Sequence, residues 1–206
     1  MARIPPLDIA EVAADLRPAI EAGEALLGFL SNDALIMARN PALLRGVLHM
    51  VQAVYAPGRV EPALKRLVGL MTSAAAGCRY CTAHTAWSAE RLGVDADKLA
   101  ALWDYERSDA FTAAERAALD VARQAAQAPG AVTDEIYDEL RTHFDAGQQI
   151  EIVAVIAMFG FLNRWNATLA TDIEAAPAAR AAAMGLIDDV ASVSALTPGG
   201  SGGQQR

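Results

Sequence analysis

Leu64, Leu67, Val68 and Met71 recur three and four residues apart, the spacing that puts side chains on one face of an α-helix. The same periodicity returns along most of the chain, and nowhere is it replaced by a β-branched run of period two. Hydrophobic residues make up 53% of the 206, enough for a sizeable core, and alanine supplies much of that fraction. Alanine is the best helix former, so the expected class is all-α: a compact multi-helix domain.

Punctuation divides the chain. A first helix is expected over about Leu7–Leu16, interrupted near Pro18, and a second over Ala19–Leu30. Ser31-Asn32-Asp33 reads as a turn or cap before a short helix at Ala34–Ala38. Asn40-Pro41 stops that helix, because the residue before proline disfavours the α region, and Pro41 opens the next, Ala42–Val54. Helices follow over Glu61–Ala75, from about Cys78 to Gly93, and over Asp95–Trp103. Thr112-Ala113-Ala114-Glu115 has capping-box spacing, and Thr133 caps Asp134–Phe144. The most apolar helix runs Ile150–Leu162 with an extension towards Thr171, and Ala175–Leu186 is the last. The expected division is an N-terminal helical segment (1–40), a main helical domain (41–190) and a tail (191–206), rich in Gly, Ser, Gln and Arg from Pro198, that is expected to be disordered.

The charge excludes some classes. The formal net charge is −8, and only 17 Lys and Arg residues are scattered along the chain, so nucleic acid is not expected as a partner. No run of about 18 apolar residues is evident and the N-terminus lacks an apolar signal-peptide core, so no membrane association is expected and a cytosolic location is the default.

Reactive side chains concentrate in Gly77-Cys78-Arg79-Tyr80-Cys81-Thr82-Ala83-His84, which holds both cysteines and one of three histidines. In a reducing compartment a C-x-x-C pair points to redox catalysis or metal binding rather than a structural disulfide. On a helix Cys81 neighbours both Cys78 and His84. His84 can then take the Cys81 proton, and the thiolate is the attacking form. If Cys78 starts the helix, free backbone N–H groups favour a thiolate there too. Such a dithiol can attack an O–O bond through Cys81, with Cys78 resolving the sulfenic acid, or exchange with another disulfide. Two plainer readings stand beside these: inert buried thiols, and a zinc site, for which three ligands fall one short of the usual four. No cofactor is expected. His49 and His143 carry no assigned role, and Trp87, Trp103, Trp165 and Tyr80 are expected to pack.

A short echo links Arg66-Leu67-Val68-Gly69-Leu70-Met71 to Glu151-Ile152-Val153-Ala154-Val155-Ile156. In that register Cys78 falls opposite Asn163 and Cys81 opposite Asn166, so an internal helical duplication is one reading of the pattern.

The cysteine segment through Thr85-Ala86, with Leu67-Val68, Arg91-Leu92-Gly93, Phe111 to Leu119 and Asn163-Arg164-Trp165-Asn166, resembles the carboxymuconolactone decarboxylase superfamily, in its alkylhydroperoxidase-D-like, peroxidase-related branch. The resemblance covers about 40–174. It implies an all-α fold, trimers or hexamers, and an antioxidant thiol peroxidase or disulfide reductase with a hydroperoxide substrate and a thiol or dithiol electron donor. It also implies that Cys81 attacks, Cys78 resolves and His84 belongs to a proton relay. Two positions depart from the family pattern: His84 follows Cys81 by three residues rather than four, and Arg66 stands where the family carries a relay glutamate. Glu151, at the equivalent position of the apparent second copy, is the candidate replacement; a helix-start glutamate that suits the dipole is the alternative. A lactone-decarboxylase-like lyase and a non-enzymatic redox sensor or scaffold remain the competing functions.

Overall fold

A computed structural model describes residues 1–188, and among these every regular element is helical. In chain order the α-helices are α1 (Arg17–Leu27), α2 (Asn32–Met37), α3 (Pro41–Tyr55), α4 (Pro62–Ala75), α5 (Arg79–Arg91), α6 (Ala96–Ala100), α7 (Ala113–Ala125), α8 (Asp134–His143), α9 (Ala146–Leu169) and α10 (Ala175–Ala183). The tail assigned to 191–206 lies outside the described residues.

Caps set most boundaries where the sequence puts them. Thr112 and Glu115 form the expected capping box of α7, and Thr133 caps α8 through the Ile136 N–H. The N-terminus differs from expectation. Leu7–Leu16 contains only a 3-10 turn, Ile9–Glu11, and Pro18 opens α1 instead of interrupting a helix. A proline in the first helical turn removes an N–H that has no intrahelical acceptor anyway, so it favours a start there.

α4, α5, α7 and α9 enclose the main core. Leu67, Val68, Leu70 and Met71 of α4 meet Leu119 of α7 and Ile152, Val155 and Met158 of α9. Gly69 sets the α4–α9 spacing, since a Cβ there would stand 2.5 Å from the Phe159 ring. By length and composition α9 could cross a membrane. One of its faces, however, is buried in this core and carries Asn163 and Asn166. A second cluster joins Val12, Leu16, Ile20, Leu35 and Met37 to Leu44 and Val47 of α3, with Leu162 and Trp165 of α9 against it. The N-terminal segment is thereby packed onto α3 and α9. Trp103, expected in the core, is half exposed.

Candidate active site

The turn between α4 and α5 is built from one glycine and one cysteine. Gly77 adopts φ +71°, its N–H donates to the Ala74 carbonyl, and the Cys78 N–H reaches back to the Ser73 carbonyl at 3.0 Å. This is a Schellman ending of α4, and glycine takes its left-handed residue without a Cβ penalty. Cys78 is also the N-cap of α5: its sulfur accepts from the Cys81 N–H at 3.4 Å. The chain therefore leaves one helix and enters the next with Cys78 Sγ against the free N–H groups of the new one. Cys81 lies one turn on, and both thiols are free and almost completely buried.

The two sulfurs are not equivalent. Hydrogen bonding between the two thiols lowers the Cys78 pKa; burial opposes this, and the Cys81 and Tyr80 N–H groups reinforce it. The same hydrogen bond, with burial, holds Cys81 well above the ordinary thiol value, although Asn166 Nδ2, 3.4 Å from its sulfur, acts in the opposite sense. The resting thiolate is thus favoured on Cys78, at the positive end of α5. The sequence expectation gave the attacking role to Cys81 on the strength of its closeness to His84; it is Cys78, not Cys81, that occupies the helix start.

His84 reaches the start of α10. Its Nε2 lies 2.5 Å from Glu174 Oε2, and its ring stacks on Tyr80 with centroids 4.1 Å apart and meets Phe29 edge-on at 5.3 Å. The Tyr80 hydroxyl stands 3.1 Å from Asp33 Oδ1 and 3.2 Å from Glu174 Oε1, and accepts from the Asp33 N–H. One hydroxyl has one proton to donate, so the two carboxylates compete for it. Burial and the two nearby carboxylates push the Tyr80 pKa well up, and the phenol stays a proton donor. Burial raises the Glu174 carboxyl, but the His84 hydrogen bond and charge and the Asn32 N–H outweigh it, so its pKa is lowered. Asn166 Nδ2 also lies 3.5 Å from Asp33 Oδ2. A continuous polar path results: Cys81, Asn166, Asp33, Tyr80, Glu174, His84.

Glu151 is not on this path. It lies 2.8 Å from the Lys65 ammonium and accepts from the Arg59 and Val60 N–H groups. Lys65 is 3% exposed and also donates to the Val54 and Ala56 carbonyls. Glu151 thereby ties the α3–α4 connection to α9, which explains its lowered pKa. Arg66 stacks on Tyr55, 3.6 Å from the ring centroid. The carboxylates near the thiols come instead from Asp33 and Glu174. Sequence reasoning had read Asp33 as part of a turn, assigned Glu174 no role and expected Tyr80 only to pack. The motif is local, whereas these partners are 47 and 94 residues from Tyr80. Asn166 could have been found, because the internal echo puts it opposite Cys81 and the two meet in space. His49 and His143 are exposed, and His143 pairs with Glu139 on its own helix. Among the described residues no group of three or more His, Cys, Asp and Glu side chains could hold a metal ion.

This all-α scaffold is shared with known proteins. Residues 41–124 match the carboxymuconolactone decarboxylase family profile. The fold is similar to crystal structures of the debrominase Bmp8, one of them a cysteine-to-alanine variant in complex with 2,3,4-tribromopyrrole. The likeness has 36% identity and a TM-score of 0.83, covering 88% of this chain and 96% of that one. It is also similar to an uncharacterized peroxidase-related protein with an alkylhydroperoxidase AhpD core from Ralstonia eutropha, at 26% identity and TM-score 0.73, covering 85% and 94%. The uncharacterized protein YnjA of Escherichia coli is 34% identical over 111 residues, 53% of this chain and 60% of its own length. The chain belongs to the carboxymuconolactone decarboxylase superfamily, in its alkylhydroperoxidase-D-like branch. Its structural neighbours include a peroxidase-related protein and a debrominase.

Proposed function

We propose that the protein is a dithiol reductase that reduces hydroperoxides through Cys78 and Cys81. The observation that carries this reading is Cys78 at the N-cap of α5, with Cys81 one turn away and its backbone N–H donating to the Cys78 sulfur. The Cys78 thiolate attacks the distal peroxide oxygen; an S–O bond forms, the O–O bond breaks, and the departing alkoxide takes a proton to leave as alcohol. Cys81 then attacks the Cys78 sulfenic acid, forming the disulfide and releasing water. An external dithiol returns two electrons and two protons by thiol–disulfide exchange. The chain of Asp33, Tyr80, Glu174 and His84 supports proton delivery to the leaving oxygen, with the Asn166 amide holding Asp33 beside Cys81 by donating to both. The reading includes a cytosolic, reducing setting and assembly into trimers or hexamers; Ile150 and Val153, exposed on α9, support assembly.

A second reading is favoured by the 36% identity to the debrominase. An aryl bromide offers the thiolate an electrophilic halogen. The S–Br bond forms as C–Br breaks, the carbanion is protonated, and the second thiol displaces bromide to give the same disulfide.

Both are tested by steady-state assays with a dithiol reductant. Expected is consumption of cumene hydroperoxide, or bromide release from 2,3,4-tribromopyrrole, that is lost on Cys78→Ser. Unchanged turnover in that variant would refute the assignment.

A further inference from the structure

Cys78 is 2% and Cys81 3% exposed, so an organic hydroperoxide cannot reach either sulfur from solvent until part of the chain moves. Residues 26–33, which join the end of α1 to the first turn of α2, lie beside the sulfurs. Asp33, the last of them, shares a neighbour with Cys81: Asn166 Nδ2 lies 3.5 Å from Asp33 Oδ2 and 3.4 Å from Cys81 Sγ.

This segment is weakly packed. Every residue at 21–34 is at least partly exposed, whereas Ile20 before and Leu35 after are buried. Leu30 and Ala34 rest against the N-terminal cluster. The hold on α5 and on the chain entering α10 is polar and aromatic instead. Trp87 Nε1 donates to the Leu27 carbonyl and Arg91 Nε to the Leu26 carbonyl, each at 2.8 Å. The Asn32 N–H donates to Glu174 Oε1 at 2.6 Å, and its side chain donates to the Asp172 carbonyl at 2.9 Å. Phe29 adds ring contacts to His84 and Trp87. Ser31 makes no side-chain cap to α2, so an N–H of its first turn depends on Glu174, a residue of another element. Gly28, in the left-handed conformation at φ +89°, ends α1 and provides a pivot. Few buried apolar contacts and hydrogen bonds near the surface are the properties of a segment that opens locally, below the cost of global unfolding.

We propose that residues 26–33 are the gate of the dithiol site: they swing out about Gly28 to admit the substrate and return to close the site over it. The catalytic meaning of the gate rests on the dithiol reading of Cys78 and Cys81; what it adds is how those thiols are reached. Opening also withdraws the Asp33 carboxylate, whose charge raises the pKa of both thiols. The motion that admits the substrate therefore favours the thiolate, and closing restores the Asp33–Tyr80 contact used in proton delivery.

The test uses the full chain and reads alkylation of each cysteine by iodoacetamide, peptide by peptide, with the reagent dilute enough that the gate recloses before it is labelled. Rates then follow the opening equilibrium. In urea below the unfolding transition both rates should rise far less steeply than the unfolded fraction, because opening this short segment exposes little surface. Trp87→Phe combined with Arg91→Ala removes the donors to Leu27 and Leu26, each worth roughly fivefold, and should speed alkylation of both cysteines by about 25-fold. Gly28→Ala, where a Cβ would meet nothing within 4 Å but would strain the left-handed backbone, should speed it by about fivefold or more. Arg180→Ala unties α10 from Glu90 of α5 instead and should leave the rates within twofold. Oxidation of the thiols by cumene hydroperoxide should gain the same factors. Alkylation that parallels global unfolding, or that responds to Arg180→Ala and not to the segment's variants, would overturn the gate. If hydroperoxide oxidises the pair while the segment's variants leave both rates unchanged, the gate fails and the dithiol reading stands. If those variants speed alkylation while hydroperoxide oxidises neither thiol, the gate stands and the dithiol reading fails.

Discussion

His84 Nε2 lies 2.5 Å from Glu174 Oε2, although the two residues are 90 positions apart. This contact fastens the start of α10 to the helix that begins with Cys78. It also joins an imidazole at the rim of the site to Tyr80 and Asp33 behind it. Glu90 and Arg180 pair further along the same two helices.

The contact carries a pH signature. The Glu174 pKa is lowered in the folded protein, so its contribution to stability is present above the unfolded carboxylate value and is lost as pH falls through the lower folded one. Glu174→Gln should cost about 1 kcal/mol at pH 7. In urea titrations the gap between native protein and variant should close below the ordinary carboxylate range; a gap independent of pH would show that the charge does not matter.

Removing the Tyr80 hydroxyl should separate proton delivery from thiol chemistry. Tyr80→Phe keeps the ring stacked on His84 but leaves Asp33 and Glu174 without a shared donor. Peroxide turnover should fall by about 100-fold, the size of general acid–base effects, while both thiols remain titratable. Turnover within twofold of native would remove Tyr80 from the mechanism.

The asymmetry of the cysteines predicts which one alkylates first. Cys78 should react with iodoacetamide at lower pH than Cys81, identified by peptide mass spectrometry. Cys81→Ala removes the S–H donor to Cys78 and should slow Cys78 alkylation at pH 7 by roughly tenfold. Preferential labelling of Cys81 would restore the order expected from the sequence.

Glu151 provides the complementary case. Glu151→Ala strips the carboxylate from Lys65, whose side chain is 4% exposed. The loss should be about 2 kcal/mol, below the usual cost of breaking a buried pair because Glu151 is itself partly solvated and two carbonyls still hold the ammonium. Single-turnover oxidation of the thiols should persist at native speed. A fall in that rate without a fall in melting temperature would return Glu151 to the relay.

How much of this was legible in the sequence follows from the range of the interactions. Helix boundaries set by local chemistry were readable: the Thr112–Glu115 box and Pro41 at a helix start. Pro18 was misread because a proline between two apolar stretches can end one helix or begin the next, and the flanking residues do not decide. The thiols and His84 were evident from their spacing. Asp33 and Glu174 were not, since each looks like an ordinary helix-start residue until α2 and α10 are folded against α5. Register alone linked Glu151 to the site, and Lys65, inside an apolar helix face, gave the better clue: a buried ammonium needs a counter-charge.

The central claim is that Cys78 and Cys81 form a redox pair, and the most direct measurement is a free-thiol titration before and after one equivalent of hydroperoxide, with disulfide mapping of the product. Loss of two thiols per chain, a Cys78–Cys81 disulfide, and full recovery with a dithiol reductant are predicted. Two thiols that survive hydroperoxide in the folded protein, yet titrate once it is unfolded, would contradict the account and leave the pair as buried packing residues.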